Sequence, residues 1–193
     1  MSNSIIPGAG MRVLIILLIA GGVVAGIAAT VMISSENDAV QPSVGQIEEN
    51  EEGPRFAPDW ELPDTEGSPV KFSDFVGQVV IVDFWATWCA PCRLEIPELI
   101  KLQSTYRDRG FTIVGISLDQ PGNPAVKDYM AEVGVNYPIV MGNAEVMEAF
   151  GDVDGVPTTY VIDRSGKVVA KHLGYTNRDV FEREIEMIIG SSE

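Results

Sequence analysis

Thiols are scarce in this chain. Among 193 residues there are two cysteines, Cys89 and Cys92, and both lie in one short motif. With nothing left to pair elsewhere, a disulfide-stapled scaffold is excluded. The only histidine is His172, so one chain offers too few soft ligands for a closed structural zinc site. Basic residues are also few, 13 against 28 acidic ones, for a formal net charge of −15. Holding a nucleic-acid backbone requires positive charge, so this balance argues against a nucleic-acid partner. Internal repeats are absent. The length suits one domain of ordinary size plus an appendage.

Long uncharged runs are missing too, with one exception. Val13 to Ile33, VLIILLIAGGVVAGIAATVMI, carries no charge over 21 residues. At about 1.5 Å per residue such a helix crosses a bilayer, and it has no polar face to keep in water. Arg12 precedes the run and Glu36 and Asp38 follow it. The positive-inside rule then leaves residues 1–12 in the cytoplasm and places everything after Ser34 outside. The run exceeds the about 7–15 apolar residues of a usual signal peptide, so the expectation is an uncleaved signal anchor and a single-pass protein of the cell membrane. Gly22 and Gly26 form a GxxxG pair, too common in membrane helices to set an oligomeric state. Residues 34–55, SSENDAVQPSVGQIEENEEGPR, hold six acidic residues and one basic residue. So polar a stretch buries too little surface to offset the entropy of ordering, and it reads as a disordered acidic linker.

From Phe56 to the C-terminus the elements alternate in type. Trp60–Leu62 and Val70–Phe72 flank a turn at Asp64–Gly67, the pattern of a hairpin. Val79–Trp85, VVIVDFW, is an apolar run of strand length, as in strands buried on both faces. Ala90 to about Arg109 has helical spacing, with Leu94, Leu99, Leu102 and Tyr106 as core contacts and Gly110 as the closing cap. Phe111–Leu118 reads as a second buried strand, Pro124–Val133 as a helix, Tyr137–Met141 as a short strand and Ala144–Phe150 as a short helix. Thr158–Asp163 and Lys167–Leu173 are strands joined by a tight turn at Arg164-Ser165-Gly166. Asn177 caps a last helix to Ile189, with Val180, Ile185, Ile188 and Ile189 inward. Strand–helix–strand alternation followed by a hairpin and a helix gives an α/β fold, a mixed sheet covered by helices. His172 is expected on an outer strand face with no function.

Trp88-Cys89-Ala90-Pro91-Cys92 follows the VVIVDFW strand and opens a helix. Cys89 at the helix N-terminus meets free N–H groups and the positive end of the macrodipole. Both favour negative charge, which lowers the thiol pKa and supplies thiolate near neutral pH. Cys92, one turn along, is close enough to close a small ring with Cys89. Pro91 is tolerated because the first turn has no N–H bond to lose. The arrangement suits thiol–disulfide exchange: Cys89 attacks a partner disulfide and Cys92 resolves the mixed disulfide. No metal is called for, and the only cofactor is the Cys89–Cys92 redox couple itself.

The stretch VVIVDFWATWCAPC, Pro97 in the same helix and the downstream segment GVPTTYVIDRSGKV resemble the thioredoxin superfamily. The anchor and an insert from about Asp119 to Met141 resemble its TlpA/ResA branch of extracytoplasmic thiol–disulfide oxidoreductases. The resemblance implies a thioredoxin fold with an N-terminal hairpin and a central insert. It implies Cys89 as the exposed nucleophile, Cys92 as the buried resolving thiol and Pro157 as a cis-proline facing them. Read alone, a proline before a strand is an ordinary trans turn residue; the cis bond comes from the resemblance. Val156 would then present its backbone to an extended substrate, with Trp88, Ala90 and Pro91 lining the same surface. Asp83, six residues before Cys89, matches the buried carboxylate of thioredoxins, where many TlpA-like proteins carry Asn. Burial raises such a carboxyl's pKa and lets it exchange a proton with Cys92; the alternative is a strand-end Asp satisfied by backbone donors. Glu95, three residues after Cys92, matches an acidic residue that tunes the thiols in ResA-like proteins; the alternative is a solvated charge near a helix N-terminus. Pro97 is expected to kink the helix.

The function implied is reduction of protein disulfides outside the cytoplasmic membrane, with apocytochrome c as a candidate substrate and a membrane thiol-transferring reductase as electron donor. A thiol peroxidase of the peroxiredoxin-related group is a rival, although its P-x-x-x-T-x-x-C pattern is incomplete at Thr87. A Cu(I)-binding assembly module is another, separable by titrating the reduced thiols with metal.

Overall fold

A computed structural model describes residues 56–190. The Val13–Ile33 run, residues 1–12 and the linker 34–55 lie outside the described residues. Among the described residues no helix is long and apolar enough to cross a membrane.

The first two strands, β1 (Glu61–Pro63) and β2 (Pro69–Lys71), pair antiparallel across the expected turn. The Asp64 carboxylate closes that turn by accepting the N–H groups of Glu66 and Ser68, both at 2.8 Å. The main sheet has the order β5-β4-β3-β6-β7. Its centre is β3 (Val79–Trp85), flanked by β4 (Phe111–Ser117) in parallel and β6 (Thr158–Ile162) antiparallel. The edges are β5 (Ile139–Met141), parallel to β4, and β7 (Val168–Leu173), antiparallel to β6. Both β3 and β4 are buried at every position, as strands covered on both faces should be.

Side chains of β3 alternate between two cores. Val79, Ile81 and Trp85 join α1 (Ala90–Tyr106), α2 (Pro124–Val133) and α4 (Arg178–Gly190) on one face. Val80, Val82 and Phe84 join β1, α3 (Ala144–Ala149) and Phe150 on the other. The insert contributes α2 and β5. Its Tyr129 packs on Trp85 with ring centres 5.7 Å apart and lies under Arg93 of α1 at 4.6 Å. This is the architecture that the resemblance implies.

Three expectations need correction. Leu94 is 69% exposed rather than core. The buried stripe of α1 runs Cys92, Glu95, Ile96, Leu99, Leu102, Gln103 and Tyr106, and Glu95 takes the inward place at this turn. Helical geometry turns Leu94 about 100° away from Glu95. His172 is not on an open face. It bonds Glu184 of α4 at 3.0 Å and meets the Phe181 ring edge-on at 5.3 Å. In α4 the deepest residues are Phe181 and Ile185, while Val180 is only half-buried.

Candidate active site

Past β3 the chain makes a short loop, Ala86–Trp88, and enters α1 with Cys89 as the N-cap. The Cys89 Sγ accepts the Cys92 backbone N–H at 3.2 Å, so this sulfur answers one of the free donors of the first turn. Cys89 and Cys92 are joined in a disulfide. Ala90 and Pro91 complete the turn and are exposed, and Trp88 beside them is 70% exposed. Cys92 is buried, as expected. Cys89 keeps only 4% of its surface, less than an exposed nucleophile was expected to show. Closing the ring turns its sulfur onto the helix end.

The Val156–Pro157 bond is cis. Val156 packs against the core cluster that contains Cys89 and Cys92, and against the cluster on the other face of the sheet. The proline loop is held from both sides. The Gly174 N–H donates to the Pro157 carbonyl at 2.8 Å, and the Thr158 hydroxyl to the Gly155 carbonyl at 2.7 Å. Beneath it the Tyr160 hydroxyl donates to the Phe150 carbonyl at 2.6 Å. A groove of about 750 Å³ opens alongside, lined by Val156, Pro157, Lys171 and Leu173 among others. Leu173 and Tyr175 are exposed near it.

Two carboxyl groups lie inside. Asp83 is buried on the α1 face of β3, between Gly115 and Thr159 on the neighbouring strands. Its Oδ1 accepts the Thr159 hydroxyl at 3.3 Å and its Oδ2 has no partner. It is mid-strand with no backbone donor, so the strand-end alternative fails. Burial drives its pKa well above the ordinary 3.8, the charge of Glu95 pushes the same way, and the Thr159 bond opposes both. Glu95 is fully buried, so it is not a solvated helix charge. Its Oε1 accepts the Thr176 N–H at 2.7 Å and its Oε2 is unpartnered. Burial lifts it from 4.5 to about 7, against the lowering pull of the Thr176 N–H and of His172. Glu95, one turn after Cys92 on the same helix, can hold or release a proton near neutrality, and Asp83 holds its proton more readily than an ordinary carboxyl.

Residues 55–171 match the AhpC/TSA family. The thiol-disulfide oxidoreductase ResA of Bacillus thuringiensis strain Al Hakam is 30% identical over 132 residues, covering 68% of this chain and 76% of that protein. Its counterpart in Geobacillus kaustophilus is 33% identical over 133 residues, covering 68% and 75%. Among solved structures, a thiol:disulfide interchange protein of the thioredoxin family from Chlorobium tepidum is 39% identical. It covers 71% of this chain and 97% of that one, with a TM-score of 0.65. The chain belongs to the AhpC/TSA family. Within it, this is a thiol–disulfide oxidoreductase of the ResA and DsbE type, with a thioredoxin-like fold.

The oxidoreductase also places three groups here that sequence reasoning missed. Thr159 and Thr176 supply the hydrogen bonds to the two carboxyls, from β6 and from the loop before α4. Asp119 reaches from the end of β4 to the loop carrying Cys89, accepting the Thr87 N–H at 2.8 Å. Thr159 stands opposite Asp83 through the β3–β6 register, which only the structure supplies.

Proposed function

We propose that this oxidoreductase reduces protein disulfides outside the cytoplasmic membrane, anchored through Val13–Ile33 and tethered by the 34–55 linker. In the reduced chain the Cys89 thiolate attacks one sulfur of a substrate disulfide. The substrate S–S bond breaks, a Cys89–substrate disulfide forms, and the departing thiolate takes a proton. Asp83 then accepts the proton of Cys92, and the Cys92 thiolate attacks the Cys89 sulfur. The Cys89–Cys92 bond forms, the second substrate thiol leaves, and two electrons have passed to the substrate. Glu95 sets the charge beside Asp83 and so the ease of that proton transfer. Trp88, Ala90, Pro91 and the Val156–Pro157 backbone meet the substrate chain.

A protein substrate is favoured by the exposed Trp88 next to Cys89, and by a groove along the proline loop with exposed Leu173 in its lining, large enough for an extended segment. Apocytochrome c is the substrate that the family resemblance implies. Electrons come from a membrane thiol-transferring reductase, because no glutathione pool comparable to the cytosol's exists outside. The observation that carries the reading is a disulfide-bonded cysteine pair at a helix head, in a domain that buries two carboxyls with unpartnered oxygens. The reduction potential of the Cys89/Cys92 couple tests the direction. A reductant sits toward the thioredoxin value of about −270 mV, and a value near about −120 mV would make the chain an oxidant instead.

A further inference from the structure

The carboxyl ends of β3 and β4 are clasped together by one side chain. Trp85 pairs with Ser117 in the parallel ladder, so Thr87 and Asp119 each stand two residues past the same rung. Asp119 is buried. Its Oδ2 accepts the Thr87 backbone N–H at 2.8 Å and the Ser117 hydroxyl at 3.0 Å. Its Oδ1 accepts the Thr87 hydroxyl at 2.6 Å and the Asn123 side-chain amide at 3.3 Å. Four donors on two oxygens fill the acceptor capacity of a carboxylate. Asn123 in turn caps the insert helix α2 by accepting the Ala125 N–H at 3.1 Å. The clasp therefore joins three things: the end of β4, the start of the insert helix and the loop that delivers Cys89.

Ala86 at the start of that loop is buried in the core and Cys89 at its end is fixed by the helix and the disulfide, which leaves the middle to Asp119. Thr87 is half-buried, Trp88 is exposed, and the Cys89 N–H turns back to the Ala86 carbonyl at 3.1 Å. Thr87 precedes Trp88 and stands two residues before Cys89, so Asp119 anchors the backbone from which the Trp88 ring and the Cys89 N-cap follow.

We propose that Asp119 is a positioning residue for disulfide exchange with proteins, acting through Thr87 on Trp88 and Cys89. The inference rests on the exchange reading above and deepens it. Asp119 touches neither sulfur. Attack on a disulfide runs along the S–S axis, and a misplacement of about 1 Å costs up to about a hundredfold in rate. A small dithiol can follow a displaced sulfur. A folded partner, oriented by its contacts with Trp88 and the proline loop, cannot. Asn at position 119 would replace one acceptor oxygen by an NH2 donor, so at least one donor of the clasp would lose its partner.

The test compares two reactions of the full-length chain: reduction of insulin disulfides by the reduced form, and reduction of the Cys89–Cys92 bond by dithiothreitol. Asp119→Asn lowers kcat/KM for insulin by about tenfold or more, while the dithiothreitol rate stays within about twofold. Thr87→Val keeps the backbone N–H but loses the hydroxyl, and falls by about threefold on insulin alone. Thr87→Ser restores the hydroxyl and the wild-type rate. If Asp119→Asn does not fold, the two Thr87 variants decide. Insulin rates unchanged in Asp119→Asn and Thr87→Val, or a parallel fall in both reactions, would overturn the proposal. A wild-type chain that fails to reduce insulin would instead count against the exchange reading itself.

Discussion

The sheet has one face under α3 and the β1–β2 hairpin, and another under α1, α2 and α4. On the first, Phe84, Phe150 and Tyr160 form an aromatic cluster with ring centres 4.8–6.0 Å apart, and the Tyr160 hydroxyl is satisfied by the Phe150 carbonyl. On the second, the same strands bury Asp83 against a helix that buries Glu95, and each keeps an oxygen with no partner. An unsatisfied buried polar group costs about 1–3 kcal/mol; the first face leaves the Trp60 indole N–H unpartnered, but both unpartnered carboxyl oxygens lie on the second. The first face is aromatic, and the second carries both raised carboxyls. The central strands alternate between them residue by residue, β3 through Ile81 and Val82, β4 through Ile113 and Val114, and β6 through Val161 and Tyr160.

The comparison breaks most visibly at Phe150. Phe150→Ala empties a fully buried site and lowers unfolding free energy by about 3–5 kcal/mol. Chemical denaturation measures the loss, and the reduction potential of the folded fraction stays at the wild-type value. A shifted potential would mean that the aromatic face tunes the thiols after all. Asp83→Asn does the reverse. It removes the proton acceptor for Cys92 and slows resolution by about tenfold to a hundredfold near pH 7. Quenched-flow trapping of the Cys89–substrate adduct then finds it long-lived, and an unchanged lifetime across pH would reduce Asp83 to a structural role.

Glu95 sharpens the comparison on the stability axis. Its carboxyl is raised in the folded disulfide form, so between pH 4.5 and about 7 the folded chain binds the proton more tightly than the unfolded chain. The stability it confers is complete below pH 4.5 and is lost as pH rises through about 7. Glu95→Gln, which keeps an oxygen to accept the Thr176 N–H, flattens that decline. Above pH 7 it leaves the oxidised chain about 1–3 kcal/mol more stable than wild type, measured by denaturation at several pH values. Equal slopes in the two proteins would contradict this.

Much of this was legible in the residues. VVIVDFW occupies β3 residue for residue, and PAVKDYMAEV does the same for α2, because a run buried on both faces and a Pro start with a Gly stop mark their own ends. A lone Asp inside such a run stood out against its neighbours, and the cysteine motif announced its own place at a helix head. Hydrophobicity misled at Leu94, because α1 spends an inward position on Glu95. His172 was misjudged because no local pattern says that α4 folds back over β7. Asp119 gave no sequence signal at all. Its partner Thr87 is 32 residues away, and only the β3–β4 register brings the two together.

The most direct measurement is the pH dependence of Cys89 alkylation in the reduced full-length chain, with Cys92→Ser to isolate that thiol. A sulfur seated as N-cap of α1 titrates clearly below the about 8.5 of a free cysteine and reacts with iodoacetamide at neutral pH. A midpoint at or above that value would mean that the helix head does not activate Cys89, and the account of exchange would have to be abandoned.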